Sequence, residues 1–455
     1  MFVKNKEALI KNCLDPTDCE ARRLALSVVE SVLEHANPEN AIKSTIKLVD
    51  EKLAVAGATF NLLDFDKIYV LGAGKAGGGM AQGIEGILGN RIFKGFVNIP
   101  NGTKERYNTS KIELNETSHP LPDESGIKGA NKIMELADSA NSNDLVIVLI
   151  SGGASSLLPH PSHGFSLFDL QKVTSSLLKS GADINELNSV RKHLSAIKGG
   201  RLAEKCHPAT VIALIISDVV GDTLDVIASG PTVPDKSTYH DALNVLTSYG
   251  LSEEFPRVIK HFNTGAEGEI PETLKEDDPI FESVYNFLIS TNKSVLSQVK
   301  EEMSKDSSVK IFSTDLTGEA RDIGKDFGKR LMELKDEKTG TKPLIVIAGG
   351  ETTVTVRGTG IGGRNQELIL GGLPTLSGSG IAFASFGTDG IDGLSDAAGA
   401  IVDGSSLKRA VEMGMSIEKT LKDNDSSTFF KDLKDQIFTG PTGTNVNDVI
   451  VMVIL

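Results

Sequence analysis

At a few places in this 455-residue chain, a charged side chain stands among glycines just after an apolar run. Lys75 lies inside "LGAGKAGGG", Asp218 follows "IIS" in "IISDVVGDTLDVIASGPTVPD", and Arg364 follows Gly362 and Gly363 in "GGETTVTVRGTGIGGRNQEL". A lysine at a helix start opposes the helix dipole, so a local anion would account for Lys75. An aspartate beyond a strand end can hold Mg2+ or accept a proton from a substrate hydroxyl, which is the expectation for Asp218. The forked guanidinium of Arg364 matches a carboxylate or a phosphate with paired hydrogen bonds. In "LISGGASSLLPHP", the small residues Ser151, Gly152, Gly153, Ala154 and Ser155 can turn successive N–H groups into a concave anion nest. "NSVRKHLSAIKGGRLAE" adds Arg191, Lys192, Lys198 and Arg201, of which Arg191 and Lys198 are the expected ligand contacts. "SFGTDGIDGLSDAAGAIVDG" carries Asp389, Asp392 and Asp396 without the glutamate of an EF-hand, a loop suited to Mg2+ or to substrate hydroxyls. Plain alternatives stand beside each: a tight turn, a solvated helix face, a structural salt bridge, and for Arg357 an exposed strand position.

These residues need elements to position them. "DKIYVLGAGKAGGG", "NDLVIVLISGGASSLL", "ATVIALIISDVVGD" and "KPLIVIAGGETTV" share one plan, a short apolar run, a Gly-rich turn and helical spacing around it. That plan is the mark of parallel strands in an α/β sheet. Ligands bind outside the carboxyl ends of such strands, so the turns are expected to face one cleft. A junction is expected near residue 240, giving domains 1–240 and 241–455. "NFLISTNKSVLSQVKEEM" reads as strand then helix, "NDVIVMVIL" as a strand, and "LKDNDSSTFFKDLKDQ" as a polar loop or helix anchored by two phenylalanines.

Bulk properties narrow the class. A net charge of −14 disfavours nucleic-acid partners, whose phosphates call for basic surface. No run reaches the roughly 20 apolar residues that span a bilayer. The opening "MFVKNKEALIKNCLD" lacks a signal-peptide core, which points to a cytoplasmic protein. Cys13, Cys19 and Cys206 have no CxxC spacing, so neither a disulfide frame nor a thiolate zinc site is expected. His160 and His163 without nearby acids make a weak metal signal.

Glycine nests, isolated cations and clustered aspartates suit phosphoryl transfer, which asks for positioning and charge stabilisation. Neither a P-loop GxxxxGK[ST] nor the HRD and DFG sets of protein kinases are present. Gly72, Gly74 and Gly77 form a GxGxxG, the argument for a nicotinamide-dependent hydroxy-acid dehydrogenase. The following strand ends in Asn98 and Asn101 without the acid that would bind a ribose. Together, "LGAGKAGGGM", "SGGASSLLPHP", "RKHLSAIKGGRLAE", "SDVVGDTLDVIASGPTVPD", "GGETTVTVRGTGIGGRNQEL" and "GTDGIDGLSDAAGAIVDG" closely resemble the glycerate 2-kinase family, the type with a MOFRL-like C-terminal domain.

The resemblance spans nearly the whole chain. It implies a Rossmann-like parallel sheet in the N-terminal domain, a smaller α/β C-terminal domain, and an active site in the cleft between them. It also implies ATP-dependent, Mg2+-assisted phosphorylation of D-glycerate, with Lys75 and Arg364 catalytic and Asp218 matching the aspartate of the "SD" motif. Archaeal members form 2-phosphoglycerate in sugar-acid breakdown of a non-phosphorylative Entner–Doudoroff type; a 3-phosphoglycerate product is the alternative. Joining both readings assigns Arg191, Ser151, Gly152 and Gly153 to the substrate. Ala154, Ser155, Lys198, Gly349, Gly350, Glu351, Thr352, Asp389 and Asp392 fall to the nucleotide, and Asp218 and Glu351 to the metal. The residues leave enantiomer, C2 against C3 attack, and monomer against homodimer open.

Overall fold

A computed structural model describes residues Met1–Leu455. The chain forms two compact units, Pro38–Ile289 and a second made of Met1–Asn37 with Ser290–Leu455. No helix is long and apolar enough to cross a membrane.

The first unit opens with a small antiparallel sheet of β1 (Ile46–Val49), β2 (Lys52–Val55) and β3 (Ala58–Asn61). Its main sheet contains β4 (Lys67–Ala73), β5 (Ile92–Pro100), β6 (Ile112–Thr117), β7 (Asp144–Ile150), β8 (Thr210–Ile216) and β9 (Val284–Ser290). Their order is β6-β5-β4-β7-β8-β9, and every pairing from β6 to β8 is parallel. The order reverses between β4 and β7, the topological switch point beside which doubly wound sheets bind ligands. All seven residues of β7 are buried, the pattern of a strand covered on both faces. Leu71, Val148, Ala213 and Ile215 join Ile133 and Leu157 in the core.

The second unit carries a mixed sheet of β10 (Ser308–Leu316), β11 (Leu344–Gly350), β12 (Ile381–Gly387), β13 (Gly399–Asp403), β14 (Gln436–Ile437) and β15 (Asp448–Ile454). Its order is β10-β11-β15-β12-β13-β14. β15 runs antiparallel to β11 and β12, so its first residue, Asp448, lies beside their last, Gly350 and Gly387. The "TFF" segment is helical over Ser426–Leu433 and buries Phe429 and Phe430.

The expected junction at residue 240 falls inside the first unit, for two physical reasons. Helices Tyr239–Ser248 and Pro256–Ala266 bury Tyr239, Leu246, Val258 and Phe262 against Val173, Leu177, Leu187 and Val190, which ties residues beyond 240 to the parallel-sheet unit. Conversely, Arg22 on helix Pro16–His35 is fully buried in an ion network with Asp403 and Asp435, which ties the N-terminal segment to the mixed sheet. The "NFLIS" strand, expected to open the C-terminal part, is β9 of the first sheet. The cysteine expectation is also corrected: Cys13 and Cys19 form a disulfide with Cα atoms 5.5 Å apart. Cys206 is buried, and burial pushes its thiol up to about 12.

Candidate active site

In the parallel-sheet unit, the turns after β4, β7 and β8 meet at the switch point. Gly74 has φ 145°, and a Cβ there would strike the Ser151 hydroxyl, so only glycine lets the first two turns touch. The Lys75 N–H donates to the Gly152 carbonyl at 2.8 Å, the Ala76 N–H to Ser151 Oγ at 3.0 Å and the Gly77 N–H to the Gly74 carbonyl at 3.0 Å. Three amides that a dinucleotide pyrophosphate would need in this GxGxxG are therefore engaged inside the protein. This argues against the nicotinamide reading.

Gly152 faces the Asp218 carboxylate, with no room for a methyl group between them. A Cβ on Gly153 would lie 3.2 Å from Lys75 Cγ and 2.9 Å from His119 Nε2. The fold thus brings Lys75, Ser151, Gly152, Gly153 and Asp218 together, and adds His119, which no local motif had singled out. Ala154 donates its amide to the Ser151 carbonyl at 3.2 Å and starts the short helix Ala154–Leu157. The amides of Gly152, Gly153 and Ser155 have no internal acceptor, which leaves three hydrogen-bond donors at the turn.

Beside this turn sits a cluster of buried cations. Lys198 is 3% exposed. Its Nζ donates at 2.9 Å to both the carbonyl and the hydroxyl of Ser155, and Arg191 Nη2 donates to the same hydroxyl at 2.7 Å. Ser155 Oγ also lies 3.0 Å from Ser229 Oγ, which donates to Asn188 Oδ1 at 3.0 Å. No carboxylate contacts either cation. Burial, then the charges of Arg191 and Lys192, pull the Lys198 ammonium well below the ordinary lysine range, and burial lowers Arg191 as well. The neighbouring Lys192 shows the contrast, since Asp235 holds it at 3.0 Å and Asp225 at 3.5 Å. Arg201 donates to the carbonyls of Lys192 and Ser195 and serves the local backbone.

In the mixed-sheet unit, Arg364 begins helix Arg364–Gly372. Its guanidinium bonds Asp448 through two nitrogens, at 2.5 and 3.1 Å, and Glu351 at 2.5 Å. Burial works against the arginine charge, but Asp448 and Glu351 outweigh it and hold Arg364 above its usual range. The same pair leaves Asp448 unusually basic: burial raises its carboxyl, Arg364 lowers it, and the net value is about 6. Asp448 escaped the sequence reading because "NDVIVMVIL" looked like strand and nothing local tied its first acid to residue 364.

Several expected nucleotide contacts have other roles here. Both carboxylate oxygens of Asp392 accept the amides and side chains of Asn365 and Gln366, at 2.8–3.3 Å. Asp392 thereby caps a helix whose own N-cap, Gly363, has no side chain to do so. The segment 349–352 is no open nest. Gly349 presses on Asn292 and Gly350 on Leu316, while the Glu351 and Thr353 amides donate to the carbonyls of Leu316 and Gly318 at 2.8 Å. Thr352 is buried beside them. Asp389 Oδ1 accepts the Ile391 amide at 3.2 Å, an Asx turn, and Asp396 is exposed. Arg357 is exposed in irregular backbone rather than on a strand.

No group of three or more ligating side chains forms a metal cage. Mg2+ in phosphoryl transfer relies on one or two carboxylates with substrate phosphates, so a cage is not required. Asp218, a carboxylate beside the free amides, has the donor chemistry for that role, and Glu351 is held by Arg364.

A family model described as a domain of unknown function (DUF4147) matches residues 24–263, and the MOFRL family matches residues 344–448. Glycerate 2-kinase of Pyrococcus horikoshii is 41% identical, over 96% of this chain and 98% of that protein. D-glycerate 2-kinase of Thermotoga maritima is 42% identical over 95% and 98%. The crystal structure of glycerate kinase from Thermotoga maritima superposes with a TM-score of 0.82, covering 95% of this chain and 99% of that one. With this similarity running through both units, the chain belongs to the glycerate 2-kinase family.

Proposed function

We propose that this protein transfers the γ-phosphoryl group of ATP to the C2 hydroxyl of D-glycerate, giving 2-phosphoglycerate and ADP. The observation that carries the reading is the uncompensated positive charge of Arg191 and Lys198, set against free amides at the switch point and next to Asp218. Such a site asks for an anion and offers a carboxylate to the group beside it.

Asp218 orients the attacking hydroxyl and accepts its proton as the O–P bond forms. Gly152, Gly153 and Ser155 donate amides to anionic oxygens. Lys75 and Arg364 are the cations assigned to the charge that develops on the transferring group. Mg2+, when bound, would neutralise phosphate oxygens of the nucleotide; Asp218 as its protein ligand is the alternative to Asp218 as the base. The dehydrogenase alternative has its glycine pattern in favour, and the engaged amides of that turn oppose it.

The test supplies purified protein with ATP, Mg2+ and D-glycerate, and couples the product directly to enolase. Phosphoenolpyruvate formed without added mutase establishes the 2-phospho product. ADP formed with phosphoenolpyruvate only after mutase addition assigns 3-phosphoglycerate instead, and no glycerate-dependent ADP refutes the kinase reading.

A further inference from the structure

We propose that Arg191, Lys198, Ser155, Ser229 and Asn188 form a carboxylate subsite that anchors the acid end of a small 2-hydroxy acid, so that Lys198 serves the acceptor rather than the nucleotide. The identity of the acid rests on the kinase reading above; the anion site rests on the cluster alone.

Three observations converge. First, two cations share one neutral hydroxyl, with 2.7 and 2.9 Å contacts to Ser155 Oγ and no acid in contact with either. A buried charge without a partner is strongly unfavourable, and an arriving carboxylate supplies what the unliganded cluster lacks. Second, Asn188 is 4% exposed; its Oδ1 is fixed by Ser229, and its Nδ2 has no partner. An orphaned buried donor on the amide that borders the cations is a further hydrogen bond waiting for an acceptor. Third, the backbone holding Ser229 is strained. Ala228 and Ser229 have φ of 55° and 60°, the left-handed region that side chains disfavour. The Ser229 and Gly230 carbonyls accept the Gly199 and Gly200 amides at 3.1 and 2.8 Å, which locks this loop to the segment bearing Lys198.

Geometry selects a carboxylate over a nucleotide phosphate. Lys198 is almost wholly enclosed, which leaves no room beside it for the middle of a triphosphate. The planar fork of Arg191 suits a planar two-oxygen anion. Ser155 follows Gly152 across the left-handed turn at Gly153, in the same loop-to-helix start, and Gly152 abuts the Asp218 carboxylate.

Steady-state kinetics of Lys198→Met and Arg191→Gln, together with melting curves, test the assignment. The expected result is a KM for D-glycerate raised at least about tenfold in each variant, with the KM for ATP within about twofold of wild type. Lys198→Met should melt at or above the wild-type temperature, because an unpaired buried charge has been removed. A raised KM for ATP with an unchanged KM for D-glycerate overturns the proposal and leaves the kinase reading intact. So does a lowered melting temperature for Lys198→Met accompanied by unchanged KM values. If wild type makes no glycerate-dependent ADP, the kinase reading falls and ligand-induced melting shifts decide. Stabilisation by D-glycerate or lactate but not by glycerol, abolished in Lys198→Met, supports the subsite; no stabilisation by either acid refutes it.

Discussion

Replacing Asp448 with asparagine tests whether Arg364 works only when its fork is held from the β15 side. Burial lifts the Asp448 carboxyl from its ordinary 3.8, Arg364 pulls it back and the nearby Asp392 charge adds to the rise, leaving it near the value of about 6. A folded carboxyl that keeps its proton to that point contributes stability that is complete below pH 3.8 and lost as pH climbs through about 6. A shift of roughly two units makes that penalty about 3 kcal/mol at neutral pH. Catalysis runs the other way. Only the ionised carboxylate accepts from both guanidinium nitrogens, so kcat of the wild type should fall as pH drops below about 6. In Asp448→Asn one of two charge-assisted bonds loses its charge and the other its acceptor, a loss of roughly 1.5–3 kcal/mol in the orientation of Arg364. At about 1.4 kcal/mol per tenfold, kcat at about pH 8 should drop roughly 10- to 100-fold. Thermal stability at the same pH should change little, because the ionisation penalty disappears together with the pair. The assay is direct measurement of ADP formation under saturating substrates from roughly pH 5 to 9, run beside melting curves. A variant with wild-type kcat and an unchanged acid limb would refute the argument that Asp448 positions Arg364.

Three other outcomes follow from the geometry. Gly152→Ala puts a methyl group where the Asp218 carboxylate lies, so kcat should fall roughly 100-fold with the circular dichroism spectrum unchanged; normal turnover would detach the placement of Asp218 from the chemistry. Lys75→Ala and Arg364→Ala should each lower kcat by about 100- to 1,000-fold, and near-normal rates in either would remove that residue from the mechanism. Arg22→Ala leaves Asp403 and Asp435 buried without their partner and should lose about 3–5 kcal/mol in denaturant unfolding. A loss under about 1 kcal/mol would show that Arg409, which also bonds Asp435, compensates alone.

The α/β class, the strands and the turns that carry Lys75, Ser151–Ser155 and Asp218 were legible because their signals are local. A continuous apolar run followed by glycine marks a buried parallel strand whichever strands lie beside it, and β4, β7, β8 and β11 all end at such turns. The meeting of the β4, β7 and β8 turns at a switch point follows from strand order, which periodicity does not encode. The division into units escaped for the same reason. Arg22 is an ordinary helix residue in sequence, and only its burial with two acids some 380 and 410 positions away fixes the N-terminal helix to the mixed sheet.

Charge is where sequence and structure part most sharply. The sequence by itself determined which residues can carry charge and placed them after strands, since side-chain chemistry and local propensity belong to the chain. Only the tertiary structure decided which charges are answered. It gave Lys192 to Asp235, Arg364 to Asp448 and Asp392 to a helix end, and it left Arg191 and Lys198 around a single hydroxyl. Coulomb energy depends on distance and local dielectric, and both are set by packing between segments that lie far apart along the chain.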